Sequence, residues 1–143
     1  MKIISPAFKD GDQMPKQYTC DGIDVNPPLE FMNVPVQTLS LFLVVLDSTA
    51  KPEGFAHWII WNIDPSTKKL NEGMILNGAV CGLNDFKKTE WSGPCLSENK
   101  HKYIFSLFAL DSMLDIPTDT TIFKIRQIIK DHIIDKAEMS CYY

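Results

Sequence analysis

The chain has no run of about eighteen apolar residues, so it holds no stretch able to span a bilayer as a helix. Its longest apolar segment, Leu41 to Leu46, has the length of one buried strand. The four cysteines, Cys20, Cys81, Cys95 and Cys141, form no CxxC pair, which argues against a zinc ribbon or a thioredoxin-type site. Internal repeats, low-complexity tracts and linkers are also missing. Basic residues are in deficit: 14 Lys and Arg against 18 Asp and Glu leave a formal net charge of −4. That balance opposes non-specific binding to nucleic acid or anionic lipid. The N-terminus turns polar at Lys9-Asp10-Gly11-Asp12, too early for the apolar region of a signal peptide, so a cytoplasmic location is expected. In that compartment the cysteines are expected as reduced, structural thiols.

What is present suits one globular domain over residues 1–143. Apolar residues make up 45% and charged residues 22%, the balance of a chain that folds around a core. At this length the core suffices without a metal or a disulfide. Nine prolines and seven glycines punctuate short apolar runs, as in an all-β domain with many turns. Strands are expected at Lys2–Ser5, Leu29–Phe31, Leu39–Leu46, Phe55–Ile63, Lys102–Leu110 and Ala137–Tyr143, with a weaker one at Met74–Cys81. Leu39–Leu46, apolar throughout, reads as a central strand buried on both faces.

Period-two alternation puts His57, Ile59 and Trp61 on one side of their strand and Trp58, Ile60 and Asn62 on the other. The same rule gathers His101, Tyr103, Phe105 and Leu107 on one face. Ile122, Ile125, Ile129 and Ile133, at steps of three and four, mark a C-terminal helix, with Asp119, Thr120 or Thr121 as its cap and Pro117 just outside. A mainly β fold, an antiparallel β-sandwich with one C-terminal α-helix, is therefore expected.

Candidate chemistry gathers on few residues. Asp47 ends the most apolar strand, where a carboxylate is expensive to bury without a partner. His57 sits among bulky apolar residues. His101 and Tyr103 follow the loop Trp91-Ser92-Gly93-Pro94-Cys95-Leu96-Ser97. Imidazole N–H, phenol O–H and free loop amides all donate to phosphate or carboxylate oxygens, so together these groups would form an anion site. Taken singly, each also reads as a polar group satisfied at a sheet end.

Several segments in order carry a resemblance: Tyr18-Thr19-Cys20-Asp21-Gly22, Asn26-Pro27-Pro28-Leu29, Ala56 to Ile63, Gly82-Leu83-Asn84-Asp85-Phe86, Gly93-Pro94-Cys95 with His101 to Phe105, Ala109-Leu110-Asp111 and Asp131 to Ile134. Over essentially its whole length the chain resembles bacterial and archaeal members of the phosphatidylethanolamine-binding protein family, the group that includes Raf kinase inhibitor protein. The resemblance implies a β-sandwich with a small surface pocket for phosphate, phosphoryl head groups and other anions. Matched by motif, the pocket residues are Asp47, His57, Gly93, His101 and Tyr103, with Gly93 and its neighbours supplying main-chain donors. It implies a non-enzymatic binding protein, without cofactor or metal, or a module that inhibits a kinase or a protease. It is also compatible with a homodimer.

Two departures from the family pattern stand out. The usual DPDAP segment is Asp47-Ser48-Thr49-Ala50-Lys51 here, without its prolines and its second carboxylate. One negative charge is thereby lost and Lys51 adds a positive one, so anions are expected to bind at least as well while amine-bearing head groups lose a partner. Lys102 stands where arginine is usual and gives up the planar two-pronged donor. A competing reading takes Cys95, His101 and Asp47 as nucleophile, base and orienter of a hydrolase. The chain has no GxSxG elbow, and Cys95 follows a proline rather than opening a helix.

Overall fold

The computed structural model describes residues 1–50 and 52–143; Lys51, and with it the expectation of an added positive charge, lies outside the described residues. The elements are β1 (Lys2–Ile4), β2 (Leu29–Met32), β3 (Ser40–Asp47), β4 (Phe55–Ile63), β5 (Lys69–Leu70), β6 (Val80–Cys81), β7 (Lys102–Leu110), α1 (Ile122–Ile129) and β8 (Ile133–Tyr142). They form a five-stranded antiparallel sheet, β6-β4-β3-β7-β8, and a three-stranded one, β1-β2-β5.

The central strand β3 is buried from end to end, as its unbroken apolar run requires. Leu41, Leu43 and Val45 join Ile3, Leu29, Phe31, Phe105 and Leu107 in a core between the sheets. Phe42, Val44 and Leu46 turn the other way and pack with Ile59, Trp61, Ile122, Ile125 and Ile129. The large sheet thus carries the small sheet on one face and α1 on the other. Trp58 and Trp61 take opposite faces, both as core.

The helix and its cap follow the isoleucine stripe only in part. Thr121 Oγ1 accepts the Lys124 amide at 3.4 Å, and Ile122, Ile125 and Ile129 are buried. Ile133 is not on the helix: it opens β8 opposite Leu110 and is partly exposed. The i+4 step extends the stripe one turn beyond the point where the chain reverses, with the His132 amide donating to the Ile129 carbonyl at 2.8 Å. The last strand therefore begins four residues before Ala137. Met74–Cys81 reduces to Val80–Cys81, because Gly73 and Gly78 take positive φ and turn the chain ahead of it.

One irregularity matters more than these boundaries. Val45 is paired with Trp58 but Leu46 with Ala56, so His57 is an extra residue in a β-bulge. Simple alternation places His57 with Ile59 and Trp61; the bulge instead aims it at Tyr103, on the face toward the small sheet. A second correction concerns the thiols. Cys20 and Cys95 form a disulfide with Cα atoms 5.2 Å apart, while Cys81 and Cys141 are free. The Cys20 amide donates to the Pro94 carbonyl at 3.0 Å, a tertiary contact that brings the two cysteines together and that their spacing in sequence does not reveal.

Candidate functional site

The site lies where β3 ends. Asp47 faces Phe55 on one neighbouring strand and Tyr103 on the other. Its carboxylate is almost wholly buried, and both oxygens accept hydrogen bonds. Oδ2 accepts Nδ1 of His101 at 2.6 Å, and Oδ1 accepts the amides of Thr49 at 2.9 Å and Ala50 at 3.3 Å. Burial raises the carboxyl pKa, but the hydrogen bonds from His101 and Thr49 outweigh it and hold the group below its usual value.

The turn after Asp47 is built without the prolines of the family pattern. Ser48 donates both its amide and its hydroxyl to the Lys102 carbonyl, and the Lys102 amide donates to Thr49 Oγ1 at 2.8 Å. Hydroxyl side chains hold the loop to β7 where a rigid ring would otherwise restrict it. Lys102 serves this turn through its backbone.

His101 precedes β7 and is held by a reciprocal backbone pair with Tyr143, at 2.9 and 3.2 Å. Its ring stacks on Tyr103 with centroids 6.5 Å apart and planes 22° apart. The ring of His57 meets Tyr103 edge to face at 5.2 Å. Burial lowers the His57 pKa against the pull of the Ser92 carbonyl and of Asp47, Asp24 and Asp85, so the ring is held neutral. Burial and the Asp47 charge raise the Tyr103 pKa and keep its phenol protonated. The structure thus brings Asp47, His57, His101 and Tyr103 together.

Gly93 is beside them but in a different role from the expected one. Its amide donates to Asp24 Oδ1 at 2.8 Å, so it is not a free donor toward a ligand. A Cβ at this position would collide with the Tyr18 carbonyl, Asp24 Oδ1 and Thr19 Cα. Gly93 is needed because two stretches of backbone cross here, braced by the Trp91 indole donating to the Tyr18 carbonyl at 3.0 Å.

Other parts of the site are not identified by residue type alone. Phe55 and Phe86 pack against His57 at 5.5 and 5.1 Å and against each other at 4.8 Å, giving the imidazole an aromatic wall. Asn84, buried, donates to the carbonyls of His57 and Glu90 and to Ser92 Oγ, each at 3.0 Å. Ser92 in turn accepts Nδ1 of His57 at 2.6 Å through its carbonyl. Asp85 Oδ2 accepts the Ala56 amide at 2.6 Å. The Asn84-Asp85-Phe86 run is therefore one bracket that ties the bulged strand to the loop carrying Ser92 and Gly93. Its presence among the family motifs is the one sequence signal that points to it.

The hydrolase arrangement is not formed, because the Cys95 sulfur is bonded to Cys20 and is no free nucleophile. His132 sits in the turn beyond the helix and pairs with Asp111 at 2.7 Å on the surface. Among the described residues no cluster of three or more His, Cys, Asp or Glu could hold a metal ion, and no helix is long and apolar enough to cross a membrane.

The two-sheet fold agrees with what comparison with known proteins finds. The family model for phosphatidylethanolamine-binding protein matches residues 4–143. A UPF0098 protein of Chlamydia pneumoniae is 38% identical over 148 residues, spanning 100% of this chain and 98% of its own. Among solved structures, a phosphatidylethanolamine-binding protein homolog from Chlamydia trachomatis superposes with a TM-score of 0.92 at 35% identity, covering 99% of this chain and 95% of that one. E. coli YbcL, described as a new member of the mammalian PEBP family, gives 0.90 at 25% identity, covering 99% and 96%. The chain belongs to the phosphatidylethanolamine-binding protein family, and that membership fits a binding protein.

Proposed function

We propose that this protein is a non-enzymatic binder of small oxyanions, phosphate above all, at the cluster of Asp47, His57, His101 and Tyr103. One observation carries the reading: the ring of His57 on β4 converges with those of His101 and Tyr103 at the start of β7, Tyr103 lying against both imidazoles and Asp47 fixing one of them at 2.6 Å. Buried polar groups normally satisfy one another. Here the Tyr103 hydroxyl has no hydrogen-bond partner among the described residues, and Thr38 Oγ1 and Ser112 Oγ are the only side-chain polar atoms there that are both fully buried and unpartnered. The hydroxyl therefore reaches solvent and is free to donate to a guest. Gly93 shapes the wall rather than donating. A Cys95-dependent activity would need a thiol that the disulfide consumes.

Calorimetric titration with inorganic phosphate tests the proposal. Saturable one-site binding is expected, weakened about ten-fold or more by His57→Ala and by His101→Ala, the loss of one or more charge-assisted hydrogen bonds. Phosphoethanolamine should bind no more tightly than phosphate, because the second carboxylate of the family segment is missing. Unchanged phosphate binding in both variants would refute the placement of the site.

A further inference from the structure

We infer, building on the oxyanion reading, that the cluster around His57 and Tyr103 selects anions that carry a proton of their own: inorganic phosphate and monoprotonated phosphate monoesters bind, while sulfate and phosphodiesters are disfavoured. The argument starts from which ring nitrogen bears hydrogen. Nδ1 of His57 lies 2.6 Å from the Ser92 carbonyl oxygen, an atom that can only accept. The hydrogen is therefore on Nδ1, and the neutral ring turns the lone pair of Nε2 outward. Nε2 has no partner among the described residues and is not among the fully buried unpartnered atoms, so it reaches solvent.

A guest oxygen meeting that lone pair must donate a hydrogen bond, or the ring must take up a proton. Burial opposes the second course, as do the phenyl rings of Phe55 and Phe86 that wall the imidazole. The charged or titratable groups acting on His57 are Asp47 on β3, Tyr103 on β7, Asp85 in the turn after β6 and Asp24 behind Gly93. Their carboxylates favour a charged ring but do not overcome the burial.

The remaining groups suit a guest that both gives and receives. Tyr103 keeps its phenolic hydrogen and donates. His101 has Nδ1 committed to Asp47 and offers its other nitrogen. The bonds to Ser92 and Asp47 fix both rings before any ligand arrives. Phosphate retains a P–OH group through neutral pH. A monoester retains one only below its second pKa of about 6. Sulfate and a phosphodiester have none.

Isothermal titration at about pH 7.5 and constant ionic strength, with inorganic phosphate, methyl phosphate, sulfate and dimethyl phosphate, tests the selection. Phosphate should bind about ten-fold or more tighter than sulfate or dimethyl phosphate, the value of one hydrogen bond gained where the others would set two acceptors against each other. Methyl phosphate should weaken by up to about ten-fold per pH unit above about 6, because each binding event then takes up one proton. In His57→Gln, whose amide can donate, the gap between phosphate and sulfate should close to about three-fold or less. Sulfate binding as tightly as phosphate to the unmodified protein would overturn the selection while leaving the oxyanion site in place. Failure of all four anions to bind would instead overturn the site itself. Should His57→Gln not fold, the methyl phosphate pH series on the unmodified protein decides: affinity independent of pH between about 6 and 8 refutes the inference.

Discussion

The ring of His57 stands edge-on to the ring of Tyr103, centroids 5.2 Å apart and planes at 89°, although β3 separates their two strands. The contact depends on the bulge between Val45 and Leu46, which turns His57 out of the alternation of β4. This places a titratable ring in an aromatic, mostly buried setting, and its thermodynamic consequence can be measured.

The folded state holds His57 neutral, with a pKa lowered by burial from the ordinary 6.5. The unfolded chain therefore binds a proton there more readily than the native one. Where the unfolded state binds more protons, stability rises with pH. The His57 contribution is fully present above 6.5 and is lost as pH falls from there toward the lowered native value. Denaturation midpoints between about pH 5 and 7.5 should show this slope, and His57→Phe should flatten it. An identical slope in the variant would remove His57 as its source. Asp47, lowered by its hydrogen bonds, acts in a separate window: its contribution fades only as pH falls below about 4.

Asn84→Ala removes the donors that hold the His57 and Glu90 carbonyls and the Ser92 hydroxyl in a buried setting. A loss of about 1–3 kcal/mol in urea denaturation is expected, because the Glu90 carbonyl and the Ser92 hydroxyl lose their donor and the His57 carbonyl keeps only the Ser92 amide, at 3.3 Å. Phosphate affinity should fall as well, since Ser92 sets the orientation of His57. A stable variant with full affinity would show that the bracket is dispensable.

Gly93→Ala forces a methyl group into the crossing of the Tyr18–Thr19 backbone with the Gly93 loop. Overpacking against backbone that cannot rotate away should cost about 1–3 kcal/mol or more. Thermal unfolding reads it, and an unchanged midpoint would contradict the close approach.

Cys20→Ser with Cys95→Ser opens a cross-link between residues 75 apart in sequence. A stability loss of about 2–4 kcal/mol is expected, and reductant should lower the unmodified protein's midpoint while leaving the double variant unaffected. The loop would not fall apart entirely. The Leu96 amide and the Tyr143 hydroxyl both donate to Asp21, at 3.1 and 2.9 Å, and still join it to the neighbouring segment. Matching midpoints with and without reductant in the unmodified protein would show that the bond adds no stability.

The free-thiol expectation fails for a related reason. It follows from the compartment usually implied by such a composition, whereas the bond follows from where two loops cross. Likewise, the free amide expected at Gly93 is taken by Asp24, a residue far away in sequence that no local pattern connects with it.

Local order within the chain determined the elements whose signals repeat: the buried run of β3, the aromatic and β-branched β4, the alternation of β7 from Tyr103 to Leu107, and the isoleucine stripe of α1 up to Ile129. Periodicity is a property of consecutive residues, so it is present before the chain folds. The family motifs added Asp47, His57, His101 and Tyr103 as a group. Only the tertiary structure decided that His57 leaves its alternating face, that Ile133 pairs with Leu110, that Cys20 reaches Cys95, and which hydrogen bonds Gly93 and Asn84 make. Each of these is a contact between segments distant in sequence, set by register and packing rather than by neighbouring residues.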